Sequence, residues 1–133
     1  MRIFILENSV RRLQTFEDWR PPDIRIVSAK SAMQAAGVLS RDKGSVYSGI
    51  MLDYDLDPIA GQLQSGREVV DAMLRHIDRD TPVFVHSMNP SGSAEMTKVL
   101  EANGYSVEVC PFGKLTEKRW HEWLSEIRLD LES

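Results

Sequence analysis

PVFVHSMNPSGSAEMTKVLEANGYSVEVC, residues 82–110, decides how this chain folds. It begins with an apolar run, Val83-Phe84-Val85, and then passes through a polar turn from His86 to Ser93. Met96, Val99 and Leu100 follow at helical spacing, Gly104 supplies a left-handed stop, and a second run, SVEVC (106–110), comes after it. Run, helix and run make a strand–helix–strand unit. The unbroken first run reads as a strand covered on both faces.

The same alternation extends toward the N-terminus. RIFIL (2–6), IRIVS (24–28) and GIMLD (49–53) are strand-like, as are PVFVH (82–86) and SVEVC (106–110). Between them, segment 9–19 sets Val10, Leu13, Phe16 and Trp19 on one side, and 31–42 carries Ala32, Ala35, Ala36 and Leu39. Segment 66–79 has Val69, Val70, Met73, Leu74 and Ile77, and 93–103 is the helix already described. The last helix, 117–131, has Thr116 as N-cap and a Leu115–Trp120 staple. Its expected buried stripe is Trp120, Trp123, Leu124, Ile127 and Leu131. Strict alternation predicts an α/β fold with a five-stranded parallel sheet and helices on both faces, over one domain, 1–133.

A chain of 133 residues, 42% hydrophobic and 27% charged, buries enough surface to need neither disulfide nor metal for its core. Net charge −4 and a pI near 5.4 give no basic field toward an extended nucleic-acid surface or a membrane. The single Cys110 excludes an internal disulfide and agrees with a reducing, cytoplasmic setting. The apolar start, 3–6, is shorter than a signal peptide's apolar region, and no run approaches the ~20 residues of a membrane span.

Right-handed crossovers bring every strand-to-helix loop to one sheet edge, where ligands of such folds collect. That edge receives Glu7-Asn8, then Asp53, Asp55 and Asp57, then His86, Ser87 and Asn89, and finally Cys110 to Lys114. Carboxylates gathered there repel unless a cation or a shared proton relieves them. Mg²⁺ suits such an oxygen-rich set and commonly bridges to phosphate. The turn Asn89 to Ser93 opens a helix whose free amides, between small residues, can cradle an anion. Acids beside an anion cradle point to phosphate chemistry.

With these residues in place, the chain resembles the receiver domain of two-component response regulators. That resemblance implies a three-layer sandwich with strand order 2-1-3-4-5 and Asp53 as phosphoacceptor. Glu7 stands where receivers carry metal-binding acids, Ser87 where they carry the switch hydroxyl, and Pro111-Phe112 where their Lys-Pro-Phe runs. Three departures stand out: Cys110 replaces the lysine, Asn8 replaces the second acid, and the loop after Asp53 is long. LDYDLD (52–57) with HSMNPSG (86–92) is similar to a narrower group, the cyclic-phosphate processing receiver family. This second resemblance implies a metal-dependent phosphohydrolase acting on cyclic phosphates, on a nucleotide or an RNA end.

The residues expected to act are these. Asp53, Asp55 and His86 are the catalytic candidates: side chains two apart in an extended strand share a face, and an imidazole suits proton transfer at neutral pH. Glu7, Asp53 and Asp55 are the candidate ligands of Mg²⁺ or another divalent cation. Ser87, Asn89, Ser91, Gly92 and Ser93 are candidates for holding phosphate. Cys110 reads as an apolar filler, Lys114 as a distant substitute for the missing lysine, and His76 and His121 as solvated. Expected partners are a phosphate-containing small molecule or nucleic-acid end, with a second copy or a partner protein at the last helix.

Two rivals complete the picture. A divergent receiver or pseudo-receiver would signal through Asp53 or bind partners without chemistry. A haloacid-dehalogenase-type phosphatase also uses Asp-x-Asp, but this chain lacks that family's late acidic pair, and no P-loop precedes the acidic strand.

Overall fold

The alternating apolar runs become strands because only a parallel sheet lets each bury both faces. The structure, a computed structural model, describes residues 1–133. Strand β1 (Arg2–Leu6) leads to helix α1 (Val10–Trp19), β2 (Arg25–Ala29) to α2 (Ala32–Arg41), and β3 (Gly49–Leu52) to a hairpin, β4 (Asp55–Ile59) and β5 (Gln62–Ser65). Helix α3 (Gly66–His76), β6 (Val83–Val85), α4 (Pro90–Ala102), β7 (Val107–Val109) and α5 (Glu117–Glu132) complete the chain.

Five strands pair in parallel in the order β2-β1-β3-β6-β7. This is the expected 2-1-3-4-5, with the hairpin strands numbered in between. Period-two alternation divides the core. Phe4, Leu6, Ile50, Leu52, Val83 and Val85 face α2, α3 and α4, while Ile3, Ile5, Met51 and Phe84 face α1 and α5. Trp120, Trp123, Leu124 and Ile127 are buried as expected. No helix is long and apolar enough to cross a membrane.

Four expectations need correction. Leu131 is 64% exposed, because α5, at 16 residues, outruns strands of at most five and its last turn overhangs the sheet. Val10 also lies in solvent, since it begins α1 beyond the sheet edge. His121 is not simply solvated: its Nε2 lies 2.6 Å from the Trp19 carbonyl and ties α5 to the end of α1. The segment after Asp53 is an antiparallel hairpin rather than a loop, turning at Ala60-Gly61, where both φ angles are positive, 52° and 76°.

Candidate functional site

The carboxyl edge of the sheet is built by backbone pairing that continues past the strand ends. Glu7 N donates to Ala29 O at 3.0 Å, Asp53 N to Leu6 O at 3.2 Å, and His86 N to Leu52 O at 3.1 Å. These bonds hold Glu7, Asp53 and His86 side by side at the ends of β1, β3 and β6.

All three side chains are buried. Glu7 Oε1 accepts from His86 Nε2 at 3.1 Å, and Oε2 accepts from Ser9 N at 3.1 Å. Burial pushes the Glu7 carboxyl up, but the hydrogen bond and charge of His86, with the Ser9 amide, outweigh it and leave the group below its ordinary range. Asp53 moves the other way. Burial first, and the Glu7 charge second, push its carboxyl up to about 6. Below about pH 6 the pair therefore relieves its repulsion with one proton, held on Asp53.

Sequence reasoning passed over a third partner, Arg12. Its Nη1 lies 3.8 Å from Glu7 Oε1 and 3.9 Å from Asp53 Oδ2, and its guanidinium carbon sits 5.2 Å above the Phe112 ring. Those are ion-pair distances rather than hydrogen bonds, and the guanidinium donates no hydrogen bond within the chain. Arg11 and Arg12 occupy the first turn of α1, which holds no acid. Cations at the positive end of a helix are unfavourable by a few tenths of a kcal/mol or more. Their position there was the available signal.

Beside the acids lies a hollow of about 290 Å³ lined by Asn8, Arg12, Asp53, Asp55, Asp57 and Met88, with Ser9 and Leu56. Asp53 is its deepest polar group, and Asp55 and Asp57 stand on its rim along the exposed edge of β4. Larger depressions lie along α5, about 780 Å³, and between α4 and β7, about 620 Å³, and neither contains an acid of the cluster.

Several expected site residues lie elsewhere. The chain bends at Tyr54 into the hairpin, so Asp53 and Asp55 do not share a strand face; Asp55 turns outward and accepts from Asn89 Nδ2 at 3.2 and 3.3 Å. His86 is wholly buried beneath the hollow, edge-on to Phe16 at 5.4 Å, so the imidazole expected to exchange protons with a substrate instead touches Glu7. Ser87 accepts from Asn89 N at 3.1 Å and lines the α4–β7 groove, not the acid hollow.

The expected anion cradle at Ser91, Gly92 and Ser93 is closed. Helix α4 begins at Pro90 with Asn89 as N-cap, and Asn89 Oδ1 already takes the Gly92 amide at 2.9 Å. The Ser93 amide bonds the Asn89 carbonyl, also at 2.9 Å. The Tyr54 ring lies against Gly92, where an added Cβ would overlap it, and its hydroxyl donates to Glu95 at 3.0 Å. Lys114 is exposed and does not line the hollow, and Cys110 packs against the core beneath α1 and α5.

The residues expected to bind a divalent cation do not fit one. Both Glu7 oxygens are engaged, both Asp55 oxygens face Asn89, and Asp53 Oδ1 accepts from Tyr54 N at 2.8 Å. No three His, Cys, Asp or Glu side chains converge as ligands would, and the Arg12 guanidinium stands over the acids instead.

Residues 15–102 match the family described as the cyclic-phosphate processing receiver domain. That span contains Asp53, Asp55 and His86 but begins after Glu7, Asn8 and Arg12. No curated protein matches the chain by sequence. Among solved structures, the response regulator domain of Thermotoga maritima CheB is similar at TM-score 0.65 and 18% identity, covering 100% of this chain and 97% of that one. The receiver domain of a Pseudomonas aeruginosa sensor histidine kinase, with a magnesium ion coordinated in its active site cleft, gives TM-score 0.70 and 16% identity over 94% of each chain. The signal receiver domain of a LuxO repressor protein from Vibrio parahaemolyticus gives 0.67 and 17%, over 98% of this chain and 93% of that one. These likenesses establish the receiver fold.

Proposed function

Because the chain belongs to the cyclic-phosphate processing receiver family, we propose that it opens a cyclic phosphate bound in the hollow beside Asp53. The observation that carries this reading is the Asp53 carboxyl itself. It is buried, its pKa is raised to about 6, and it lines a solvent-reached hollow beside the Arg12 guanidinium. A group that titrates close to neutral pH both accepts and returns a proton efficiently.

Hydrolysis of a cyclic phosphodiester adds one water. The water oxygen bonds to phosphorus, one ring P–O bond breaks, and the water's proton ends on the departing alkoxide. Ionised Asp53 takes that proton as the oxygen attacks and returns it to the leaving oxygen. Glu7, held as an anion by His86, raises the basicity of Asp53 through its charge. His86 is a positioning residue in this scheme. The substrate is a phosphate-containing small molecule or the end of a nucleic acid.

A second reading has one observation in its favour: Asp53 directly follows β3 of a receiver fold, where phosphoacceptors stand. Incubation with a ribonucleoside 2′,3′-cyclic phosphate, and separately with a small acyl phosphate, decides between the two. Ring opening followed by ³¹P NMR and lost in Asp53→Asn supports the enzyme. A stable gain of one phosphate on the intact protein, lost in the same variant, supports the receiver.

A further inference from the structure

We propose that Arg12 occupies the place of a divalent cation in this site, so that the hollow takes a singly charged phosphodiester without metal. The inference rests on the cyclic-phosphate reading for its substrate, but its central claim concerns the charge layout alone.

The acids at the ends of β1 and β3 need a positive neighbour, and the structure supplies one. Arg12 faces both carboxylates at nearly equal distances, 3.8 and 3.9 Å, so it sits between them rather than pairing with either. Two substitutions agree with this placement. The likeness to receivers puts Asn8 at the place of their second strand-one acid and Cys110 at the place of their lysine. One metal ligand and one fixed cation are thus absent together, and Arg12 is the cation the structure sets beside the two acids. Phe112 fixes that guanidinium from below at 5.2 Å, and its 31% exposure leaves its donors open to the hollow. A planar fork with free N–H groups matches two phosphate oxygens, which a point charge does not.

The charge count then selects the ligand. Around the hollow stand one guanidinium and the carboxylates of Asp53, Asp55 and Asp57, with Glu7 behind. A phosphodiester adds a single negative charge to a hollow whose acids already outnumber its one guanidinium, so the Arg12 donor fork rather than net charge holds it. A phosphomonoester carries nearly two charges and meets a correspondingly larger repulsion from the same rim. Ring opening turns the first into the second, so the same layout that accepts the substrate expels the product.

Two measurements test this. The first uses Mn²⁺ followed by electron paramagnetic resonance, with no ester present. Wild type shows no saturable binding below roughly 1 mM, and Asn8→Asp/Arg12→Ala gains it. Saturable submillimolar binding by wild type that is lost in Asp53→Asn overturns the proposal, as does a folded double variant that gains nothing. The second uses 2′,3′-cyclic AMP in equilibrium dialysis with EDTA. Binding survives chelation, and Arg12→Gln weakens it roughly ten- to hundredfold. Binding abolished by EDTA, or unchanged in Arg12→Gln, overturns it. Absence of ester binding in every condition removes the cyclic-phosphate reading instead, and the Mn²⁺ result then judges the cation claim alone.

Discussion

Replacing Asp53 by Asn removes the buried acid that is costly to ionise, so the variant gains stability relative to wild type as pH rises. The folded protein holds the Asp53 proton to about pH 6, whereas the unfolded chain releases it near 3.8. Between those values the native state binds more protons than the unfolded state, so this group's contribution is complete below pH 3.8 and is lost as pH climbs through 6. The rise from 3.8 to about 6 corresponds to about 3 kcal/mol at 1.36 kcal/mol per pH unit, a ceiling because Glu7 titrates with it. The amide introduced by Asp53→Asn keeps an oxygen for the Tyr54 N–H and loses only a loose ion pair at 3.9 Å. At about pH 4 the two proteins have similar stability. At about pH 8 the variant is more stable by about 1–3 kcal/mol, which for a chain of this size is roughly 5–10 °C in melting temperature. Thermal and urea unfolding across roughly pH 4 to 8 measures the gap. A gap independent of pH, or a wild type more stable at the alkaline end, refutes the shared-proton account.

Two other substitutions probe the supports of the site. His86→Ala leaves Glu7 buried without its partner and opens a hole beside Phe16; it loses about 3–5 kcal/mol in urea unfolding near neutral pH, whereas His86→Gln, which keeps a donor, loses less. Gly92→Ala forces a Cβ into the Tyr54 ring and loses about 1–3 kcal/mol, and most of that returns in the Tyr54→Ala background, measured as a double-mutant cycle.

The sheet was legible because burial on both faces writes a strand as a continuous apolar run, and β1, β3 and β6 carry such runs. The hairpin was not. Asp55-Leu56-Asp57-Pro58-Ile59 combines residues that strands disfavour, and Ala60-Gly61 lacks the Asn-Gly or Asp-Gly signature of a tight turn. That omission carried a cost at the site, since treating 53–57 as one extended strand placed Asp53 and Asp55 on the same face. The start of α4 was readable but read too late: Asn89 followed by Pro90 is a cap and a first helical position. Arg12 escaped because no periodicity rule connects a residue on a strand end to one a turn into the next helix. Its misfit with the helix dipole was the only local sign.

The burial of His86 changes what the imidazole means without separating it from the acids. A histidine that moves protons to a substrate must reach it, and this one is closed off by Phe16 and the sheet. Its Nε2 carries the hydrogen that Glu7 accepts, because a carboxylate below its ordinary range has none to give. Its Nδ1 has no hydrogen-bond partner. The imidazole thus acts as a fixed donor at the back of the site. By keeping Glu7 ionised it forces the proton onto Asp53, the member of the pair that lines the hollow. Residues 83–93, apolar and then abruptly polar, follow from this division of labour: the strand ends where its polar groups turn inward to set the charge of the acids and to cap the next helix.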